Sequence, residues 1–207
     1  MIRTLLIVDD HEIFRAGLSA LIGSALPDVT ILQAPHAAAA LPQLAEHEPD
    51  VVILDYEMPG TNGLELLRQL RPAWPDMRII MMTAMHSGIL VRELVDLGAD
   101  AVLTKRGSGD ELLDLLLTDS AASPQVSEAF ADDLSRTRPL AALTRREQET
   151  LEHLIAGLST AQIGDAMGVS FKAAESHRTR IMAKLDVHSY AELLKKIRDM
   201  GWIPPTL

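Results

Sequence analysis

Five side chains that could handle phosphate or a metal ion each follow a short apolar run. Asp55 follows VVIL, which has the length of a strand buried on both faces of a parallel sheet. Asp9 and Asp10 follow LLIV, Thr83 follows IIMM, and Lys105 follows AVLT. Because the carboxyl ends of parallel strands share one edge of an open sheet, we expect these side chains to converge in one pocket.

Three carboxylates at one edge of a sheet repel each other unless a cation lies between them. Carboxylate oxygens suit a hard divalent ion, so Asp9, Asp10 and Asp55 predict a Mg²⁺ site. Lys105 and Thr83 would then offer a phosphoryl group a positive charge and a hydrogen-bond donor. Taken singly, each residue has a plainer explanation: the aspartates as helix caps, Thr83 as a strand-end hydroxyl and Lys105 as a solvated charge.

Strands and helices in strict alternation must position these side chains. Apolar runs predict strands at 4–8, 29–32, 51–54, 78–82 and 101–104. Helical spacing of apolar residues predicts helices at 13–24, 37–45, 63–70, 89–97 and 110–117. Five strands alternating with five helices predict a doubly wound α/β fold with a five-stranded parallel sheet.

Composition separates the chain into two parts and limits its surroundings. The formal net charge is -10, yet residues 141–207 hold 9 Lys+Arg against 8 Asp+Glu, which leaves 10 against 21 for residues 1–140. The lack of cysteine excludes disulfides and thiolate metal sites, which fits a reducing compartment. With no signal peptide and no apolar run long enough for a bilayer, the sequence predicts a cytoplasmic protein with no membrane partner.

The second part of the sequence predicts helices only. Small residues and prolines in 119–139 predict a linker with room for a helical turn or two within 125–134. Capping boxes at Thr144, Ser159 and Ser189, with Ser170 as a further cap, then predict a small four-helix unit over 140–207. Its expected buried residues are Leu151, Leu154, Ile155, Ile163, Ala166, Met167, Ala174, Ile181, Leu185, Tyr190, Leu193, Leu194 and Ile197.

The third of these helices, residues 171–185, has the composition of a helix that reads DNA. At 100° per residue, Ala174, Ile181 and Leu185 face the core. The opposite side has small polar residues at its centre and basic residues at its margins, which suits a major groove. An ordinary solvated face is the alternative explanation. The outward residues are Lys172, Ser176, Thr179, Arg180 and Ala183, with Arg178 and Lys184 at the boundaries.

The strings VDD, VVILDYEMPG, MMTA and LTK together resemble the receiver domain of bacterial two-component response regulators. The resemblance covers residues 1–118 and implies a flavodoxin-like fold in which Asp55 accepts a phosphoryl group from a sensor histidine kinase. It also implies that Thr83 and Lys105 contact that phosphoryl group. The Mg²⁺ ligands that it implies are Asp9, Asp10, Asp55 and the backbone carbonyl of Glu57.

The strings LTRREQETLEHLIAGLSTAQIGDAMGVS and ESHRTRIMAKL resemble the LuxR-type helix-turn-helix of NarL/FixJ-class response regulators. The resemblance covers residues 140–203 and implies that 159–167 is the positioning helix and 171–185 the recognition helix. The residues that it turns toward the DNA groove are Lys172, Glu175, Ser176 and Thr179. The residues that it makes candidates for phosphate contact are Arg178, Arg180 and Lys184.

Together these features predict a phosphorylation-controlled DNA-binding transcription regulator rather than an enzyme, with a receiver at 1–118, a linker at 119–139 and a DNA-binding domain at 140–207. Its expected partners are a sensor histidine kinase, double-stranded DNA and a second copy of the chain, with RNA polymerase as a further candidate. We expect the helix at 190–200 to form the dimer surface.

Two alternatives stay open on the sequence alone. Receivers of this kind usually carry Tyr or Phe three residues before the lysine, and here that position is Val102. A DNA-binding or interaction module whose receiver does not switch would explain that difference. Aspartate-nucleophile phosphatases also use strand-end Asp, Mg²⁺, Thr and Lys, but their D-x-D pattern is not matched by Asp55, Tyr56 and Glu57.

Overall fold

The structure, a computed structural model, describes residues 2–118 and 124–200, and its first part alternates strands with helices as predicted. The strands are β1 (Thr4–Val8), β2 (Thr30–Ala34), β3 (Val51–Asp55), β4 (Arg78–Thr83), β5 (Ala101–Thr104) and β6 (Gln125–Val126). The helices are α1 (Glu12–Ala25), α2 (Ala37–His47), α3 (Gly63–Ala73), α4 (Gly88–Asp96) and α5 (Gly109–Leu117).

The sheet is parallel throughout, in the order β2-β1-β3-β4-β5-β6. The doubly wound α/β prediction is therefore confirmed, but the predicted count of five strands is wrong because β6 adds a sixth. The Gln125 amide donates to the Asp100 carbonyl and the Ser127 amide to the Val102 carbonyl, both at 3.0 Å. A strand of two residues has no apolar alternation to detect, and it forms because the edge of β5 offers unpaired backbone groups.

The strand that ends in Asp55 lies in the middle of the core. All five residues of β3 are buried, and Ile53 packs in one cluster with Ile7, Ile80 and Leu103. The turn after β3 ends at Gly63, where an added Cβ would lie 2.1 Å from the Asp55 carbonyl oxygen. Only glycine lets α3 begin this close to the Asp55 backbone, so the local sequence fixes where that carboxylate emerges.

The described residues of the segment predicted to be a linker mostly lie in regular secondary structure. Residues 119–123 lie outside the described part of the chain, and a 3-10 turn (Glu128–Phe130) and α6 (Ala131–Ala141) follow β6. An 11-residue helix exceeds the helical turn or two that we expected in 125–134. Among the described residues, one compact unit contains those up to His86 and Leu90–Ala131, and a second contains Ser87–Ile89 and those from Asp132 onward. The boundaries 1–118, 119–139 and 140–207 stay a prediction, and residues 201–207 also lie outside the described part.

The helices after α6 are the four that the capping residues predicted. They are α7 (Arg145–Ile155), α8 (Thr160–Met167), α9 (Phe171–Lys184) and α10 (Tyr190–Asp199). The boxes at Thr144 and Ser159 are complete, and Ser170 caps α9 alone. At Ser189 the prediction of a full box is wrong, since the Glu192 carboxylate accepts from the His188 amide instead. None of the described helices is both long enough and apolar enough to cross a membrane.

Most of the predicted core of this helical unit is buried, including Leu151, Ile163, Ile181 and Leu193. Four positions differ: Ala166, Tyr190 and Leu194 are exposed, and Ile155 is only partly buried. In the two-turn helix α8, Ile163 and Met167 share the core side, and Ala166 is rotated by about 100° from Met167. Tyr190 lies at the first turn of α10, where its hydroxyl donates to the Leu154 carbonyl at 2.8 Å.

Candidate functional site

An acidic pocket lies at the carboxyl ends of β1 and β3, which are neighbours in the sheet. Asp9 and Asp55 are only 2% and 1% exposed, whereas Asp10 is partly exposed. Ligand atoms of Asp9, Asp10, His11 and Asp55 all lie within 4.8 Å of one another. The three carboxylates at this spacing offer the oxygen ligands that a hard divalent cation takes.

Lys105 reaches this pocket from β5, two strands away from β3. Its ammonium nitrogen lies 2.7 Å from Asp9 Oδ2 and 2.7 Å from Asp55 Oδ2. Burial alone would lower the pKa of Lys105, but hydrogen bonds and charges from Asp55 and Asp9 outweigh it and raise that pKa. The ammonium also lies 4.9 Å from the centroid of the Phe14 ring, a cation–π distance. Lys105 therefore stays charged where a phosphoryl group on Asp55 would add negative charge.

Burial raises the pKa of Asp55 to about 6, and the neighbouring charge of Asp9 adds to this effect. The Lys105 ammonium and the Glu57 amide, which donates to Asp55 Oδ1 at 3.0 Å, oppose the shift. At neutral pH the Asp55 carboxylate is mostly ionised yet more basic than an ordinary aspartate. Such a group is suited to act as a nucleophile.

Thr83 lies at the same edge of the sheet and is fully buried. Its carbonyl accepts from the Lys105 amide at 2.9 Å, and its hydroxyl oxygen accepts from the Met85 amide at 3.0 Å. The Thr83 hydroxyl is thus engaged with the loop that follows β4. The hydrogen of this hydroxyl is left to donate, and a turn of the side chain toward a phosphoryl group would release the Met85 amide.

Glu57 connects the loop after β3 to the loop after β4. Its carboxylate accepts from the Ala84 amide at 3.2 Å, while its own amide donates to Asp55. These contacts hold the backbone of Glu57 beside the pocket.

His11, Phe14 and Arg15 belong to the site although we did not predict them there. His11 Nδ1 lies 2.9 Å from Asp10 Oδ1 and 3.2 Å from Asp9 Oδ1, and Arg15 donates to the Asp9 carbonyl at 2.6 Å. The signal for His11 was its position directly after the two strand-end aspartates. Arg15 and Phe14 follow in the first turn of α1, and nothing in their spacing distinguished them from ordinary helix residues.

A second candidate surface lies on α9. Its core side holds Ala174 and Ile181, both fully buried, as predicted. The predicted outward residues Lys172, Ser176, Thr179 and Arg180 are all exposed. The exposed set contains two basic residues and two hydroxyls, which is chemistry that suits both phosphates and base edges.

Glu175 is paired with Arg178 on the same helix and with Thr160 on α8. Glu175 Oε2 accepts from the Thr160 hydroxyl at 3.1 Å and lies 3.5 Å from Arg178 Nη1. Thr179 donates to the Glu175 backbone carbonyl at 2.9 Å. Any contact of Arg178 with a DNA phosphate would therefore compete with its contact to Glu175.

Lys184 is held by α7. Its ammonium lies 2.6 Å from Glu147 Oε2 and 3.0 Å from the Ala142 carbonyl oxygen. Glu147 is buried, and the same carboxylate accepts from the Thr144 amide at 2.7 Å. Burial would raise the pKa of Glu147, but the hydrogen bonds from Lys184 and Thr144 overcome this and lower it to about 2. We did not predict this contact, and it fixes the end of α9 on the capping box of α7.

Comparison with family models divides the chain in the same way as its charge does. A model described as the response regulator receiver domain matches residues 5–117. A second, described as bacterial regulatory proteins of the luxR family, matches residues 141–196.

Several transcription regulators are similar over nearly the whole chain. The transcriptional regulatory protein UhpA of Escherichia coli is 34% identical over 200 residues, covering 96% of this chain and 99% of UhpA. The transcriptional activator protein ExaE of Pseudomonas putida is 31% identical, covering 95% and 96% respectively. The activator DevR/DosR of Mycobacterium tuberculosis is 30% identical, covering 94% and 96%.

Solved structures share the fold. RcsB from Salmonella enterica serovar Typhimurium, bound to promoter rprA with the phosphomimetic BeF3-, has a TM-score of 0.66 at 22% identity. That match covers 94% of this chain and 98% of RcsB. A LuxR-family response regulator from Aurantimonas has a TM-score of 0.61 at 26% identity, covering 67% of this chain and 99% of that protein.

Proposed function

The chain belongs to the response regulators that join a receiver domain to a LuxR-family DNA-binding domain, and we propose that Asp55 is the residue whose phosphorylation controls it. Regulators of this class are phosphorylation-regulated, DNA-binding transcription regulators of two-component systems. The observation that carries the assignment of Asp55 is its position in the buried acidic pocket, 2.7 Å from the ammonium of Lys105.

The phosphoryl donor is the phosphohistidine of a sensor kinase. An Oδ atom of Asp55 attacks the phosphorus, the P–N bond breaks with its electron pair on the imidazole nitrogen, and a new P–O bond gives an acyl phosphate. The leaving imidazole takes up a proton from solvent. Lys105 then pairs with a phosphoryl oxygen in place of the Asp55 carboxylate, and the Thr83 hydroxyl turns from Met85 to donate to another.

Asp9, Asp10, Asp55 and the backbone carbonyl of Glu57 would hold Mg²⁺ in the acidic pocket. When bound, the ion supplies positive charge to the phosphoryl oxygens. The arrangement of Asp9, Asp10 and Asp55 around one point supports this ligand set. The chain itself keeps the carboxylates in place, since Arg15 and the His11 amide fix Asp9, and the Glu57 amide fixes Asp55.

The helix α9 is the DNA-reading element. Lys172, Glu175, Ser176 and Thr179 face the major groove, and Arg178 and Arg180 contact phosphates. Exposure on α9 supports these roles for Lys172, Ser176, Thr179 and Arg180. Glu175 and Arg178 are only partly exposed, and the Glu175 carboxylate also accepts from Thr160. Lys184 stays a candidate for phosphate contact only if its ion pair with Glu147 opens.

A second copy of the chain is the expected partner on DNA. Residues 141–207 hold nearly equal numbers of basic and acidic residues, so one weakly basic domain gains affinity when two copies bind adjacent half-sites. Tyr190 and Leu194 on α10 are 40% and 37% exposed, and such apolar side chains suit a dimer surface. Structures of RcsB include two dimers bound to two parallel DNAs.

Other partners and the site of action follow from this role. A sensor histidine kinase supplies the phosphoryl group, and RNA polymerase is a candidate partner at the promoter. We place the protein in the cytoplasm, where bacterial DNA lies. One phosphoryl group on each chain is enough to control DNA binding, so the proposed function does not require the chain to turn over a substrate.

Two measurements in the presence of Mg²⁺ and BeF3- test the proposal: the mass of the oligomer in solution and the affinity for DNA. A duplex selected from a random-sequence pool by the BeF3--treated protein serves as the DNA. We expect BeF3- to increase both dimerisation and affinity for this duplex, and Asp55→Asn to abolish the increase. An unchanged wild-type affinity would favour the receiver that does not switch, whereas multiple turnovers of a phosphate ester would favour the phosphatase.

A further inference from the structure

Phe130 is fully buried although it lies in a segment with the composition of a linker. Its ring lies 5.7 Å from the ring of His86, centroid to centroid, at an interplanar angle of 55°. A segment that acts only as a spacer between two domains would leave such a side chain exposed to solvent. The contact therefore indicates a specific docking position for this segment.

Residues 125–130, which we call the strap, are held along the edge of β5. Two backbone hydrogen bonds join Gln125 to Asp100 and Ser127 to Val102. The Ser127 hydroxyl donates to Glu111 Oε2 on α5 at 2.9 Å. The strap ends in the 3-10 turn that places Phe130 against His86, since the Phe130 amide donates to the Ser127 carbonyl at 3.0 Å.

His86 lies in the loop that begins directly after Thr83. The Thr83 hydroxyl accepts from the Met85 amide in that loop, one residue before His86. When Thr83 turns toward a phosphoryl group, the Met85 amide loses its acceptor and must find another. The hydrogen bond to Thr83 thus holds the loop that carries His86, and a turn of Thr83 would release the amide next to the residue on which Phe130 packs.

The Phe130 end of the strap continues directly into a helix. Phe130 is followed without a break by α6, which begins at Ala131 and leads along the chain to the DNA-binding helices. A change at Phe130 is thus passed to a rigid element rather than absorbed in a coil.

We propose that Phe130 is a positioning residue that holds the strap on β5 through His86, and that phosphorylation of Asp55 releases the strap. This inference rests on the proposed function, because it assumes that phosphorylation changes DNA binding. It adds the route by which the loop after Thr83 reaches α6 and predicts that the strap is protected before phosphorylation and exposed after it.

Hydrogen exchange of the strap amides in the full chain tests the release directly. We expect the amides of Gln125 and Ser127 to exchange faster when Mg²⁺ and BeF3- are added to the wild-type protein. In Phe130→Leu they should exchange fast from the start and change little on addition. If the strap amides of the wild-type protein exchange at the same rate with and without BeF3-, the inference is overturned.

DNA affinity of the same proteins gives the second readout. In the wild-type protein, BeF3- should raise the affinity for DNA by roughly 5- to 150-fold, the usual range of allosteric coupling. In Phe130→Leu it should change the affinity by less than about twofold. Uptake of one phosphoryl group, by intact mass, should stay at the wild-type level. Leu44→Val, a change at a fully buried position on α2, controls for general loss of stability and should keep the wild-type ratio.

The outcomes separate this inference from the proposed function. A wild-type protein whose affinity responds, together with an equal response in Phe130→Leu, would overturn the inference alone. A wild-type protein whose affinity does not respond would overturn both. If Phe130→Leu fails to fold, Ser127→Ala removes the contact to Glu111 while keeping Phe130, and it should raise strap exchange before BeF3- is added. Unchanged strap exchange in that variant would count against the inference.

Discussion

The ammonium nitrogen of Lys105 lies 2.7 Å from Asp55 Oδ2 although β4 separates the strands that carry the two residues. The same nitrogen lies 2.7 Å from Asp9 Oδ2, so two buried carboxylates share one cation. In the unphosphorylated pocket the Lys105 ammonium therefore stabilises Asp9 and Asp55, and after phosphorylation it would pair with a phosphoryl oxygen. This arrangement makes the stability of the receiver sensitive to each of the three residues.

Replacing Lys105 by methionine should destabilise the receiver, because Asp9 and Asp55 would remain buried without a counterion. In a buffer with EDTA, we expect the free energy of unfolding to fall by about 3–5 kcal/mol, the usual cost of breaking a buried pair. Mg²⁺ should restore part of the loss, since it can take over the balancing charge. Urea unfolding measures both effects, with Lys195→Met at an exposed position as the control. A Lys105→Met protein as stable as the wild type in EDTA would refute the buried-pair interpretation.

The raised pKa of Asp55 predicts how stability depends on pH without metal. The folded chain binds the Asp55 proton more tightly than the unfolded chain, because the pKa is about 6 when folded against an ordinary value of 3.8. The contribution of Asp55 to the free energy of unfolding therefore falls as pH rises between those two values and stays low above them.

Asp55→Asn removes this penalty. We expect the variant to be more stable than the wild type by about 1–3 kcal/mol at pH 7 in EDTA, with the difference shrinking as pH falls toward 4. Urea unfolding across that range measures the difference, and Asp96→Asn at an exposed site should show none. A difference between Asp55→Asn and wild type that stays constant with pH would contradict the shifted pKa.

The contact between Lys184 and Glu147 predicts coupling between α9 and α7. We expect Glu147→Gln and Lys184→Met each to destabilise these helices by about 1–3 kcal/mol, and the double variant to cost less than the sum. Amide exchange of α7 and α9 in the full chain measures the effect.

Acid should weaken the same contact. Because the pKa of Glu147 is about 2 when folded against an ordinary 4.5, its stabilising contribution is complete above about 4.5 and is lost as pH falls toward 2. If the losses of stability in Glu147→Gln and Lys184→Met simply add up in the double variant, the two side chains do not interact.

The exposed basic residues on α9 predict how DNA binding depends on salt. Arg180→Ala should weaken binding to all sequences and reduce the slope of log affinity against log salt by about 0.9, the value for one lost phosphate contact. Ser176→Ala should leave the slope unchanged, since its hydroxyl is expected at a base edge. Fluorescence anisotropy over a series of salt concentrations measures the slopes. An Arg180→Ala slope equal to that of the wild type would remove Arg180 from the interface.

The strand ends of the receiver could be predicted because parallel topology imposes them. Asp9, Asp55 and Lys105 each follow a buried strand, and once the strands are parallel their ends must meet at one edge. The structure brings these three side chains into contact, with Thr83 at the same edge. Local sequence also predicted the helix starts at Thr144 and Ser159, since a capping box depends only on two residues that are three apart.

The remaining features depend on contacts between distant residues. Nothing in the spacing of Ser127 or Phe130 indicates β6 or the packing on His86, because both arise from the free edge of β5 and the loop after β4. Lys184 stays a candidate for phosphate contact, but its ion pair with Glu147 was not predicted, because the sequence does not specify how α9 and α7 cross. Val102, in place of the usual aromatic residue, left open whether the receiver switches. The sequence did not predict that the Phe130 ring packs on His86.

Intact-mass measurement after incubation with Mg²⁺ and a small phosphodonor tests the central claim most directly. We predict that the wild-type chain gains the mass of one phosphoryl group and that Asp55→Asn gains none under the same conditions. A wild-type chain that gains no mass, or an Asp55→Asn chain that still gains it, would contradict the assignment of Asp55 as the phosphoacceptor.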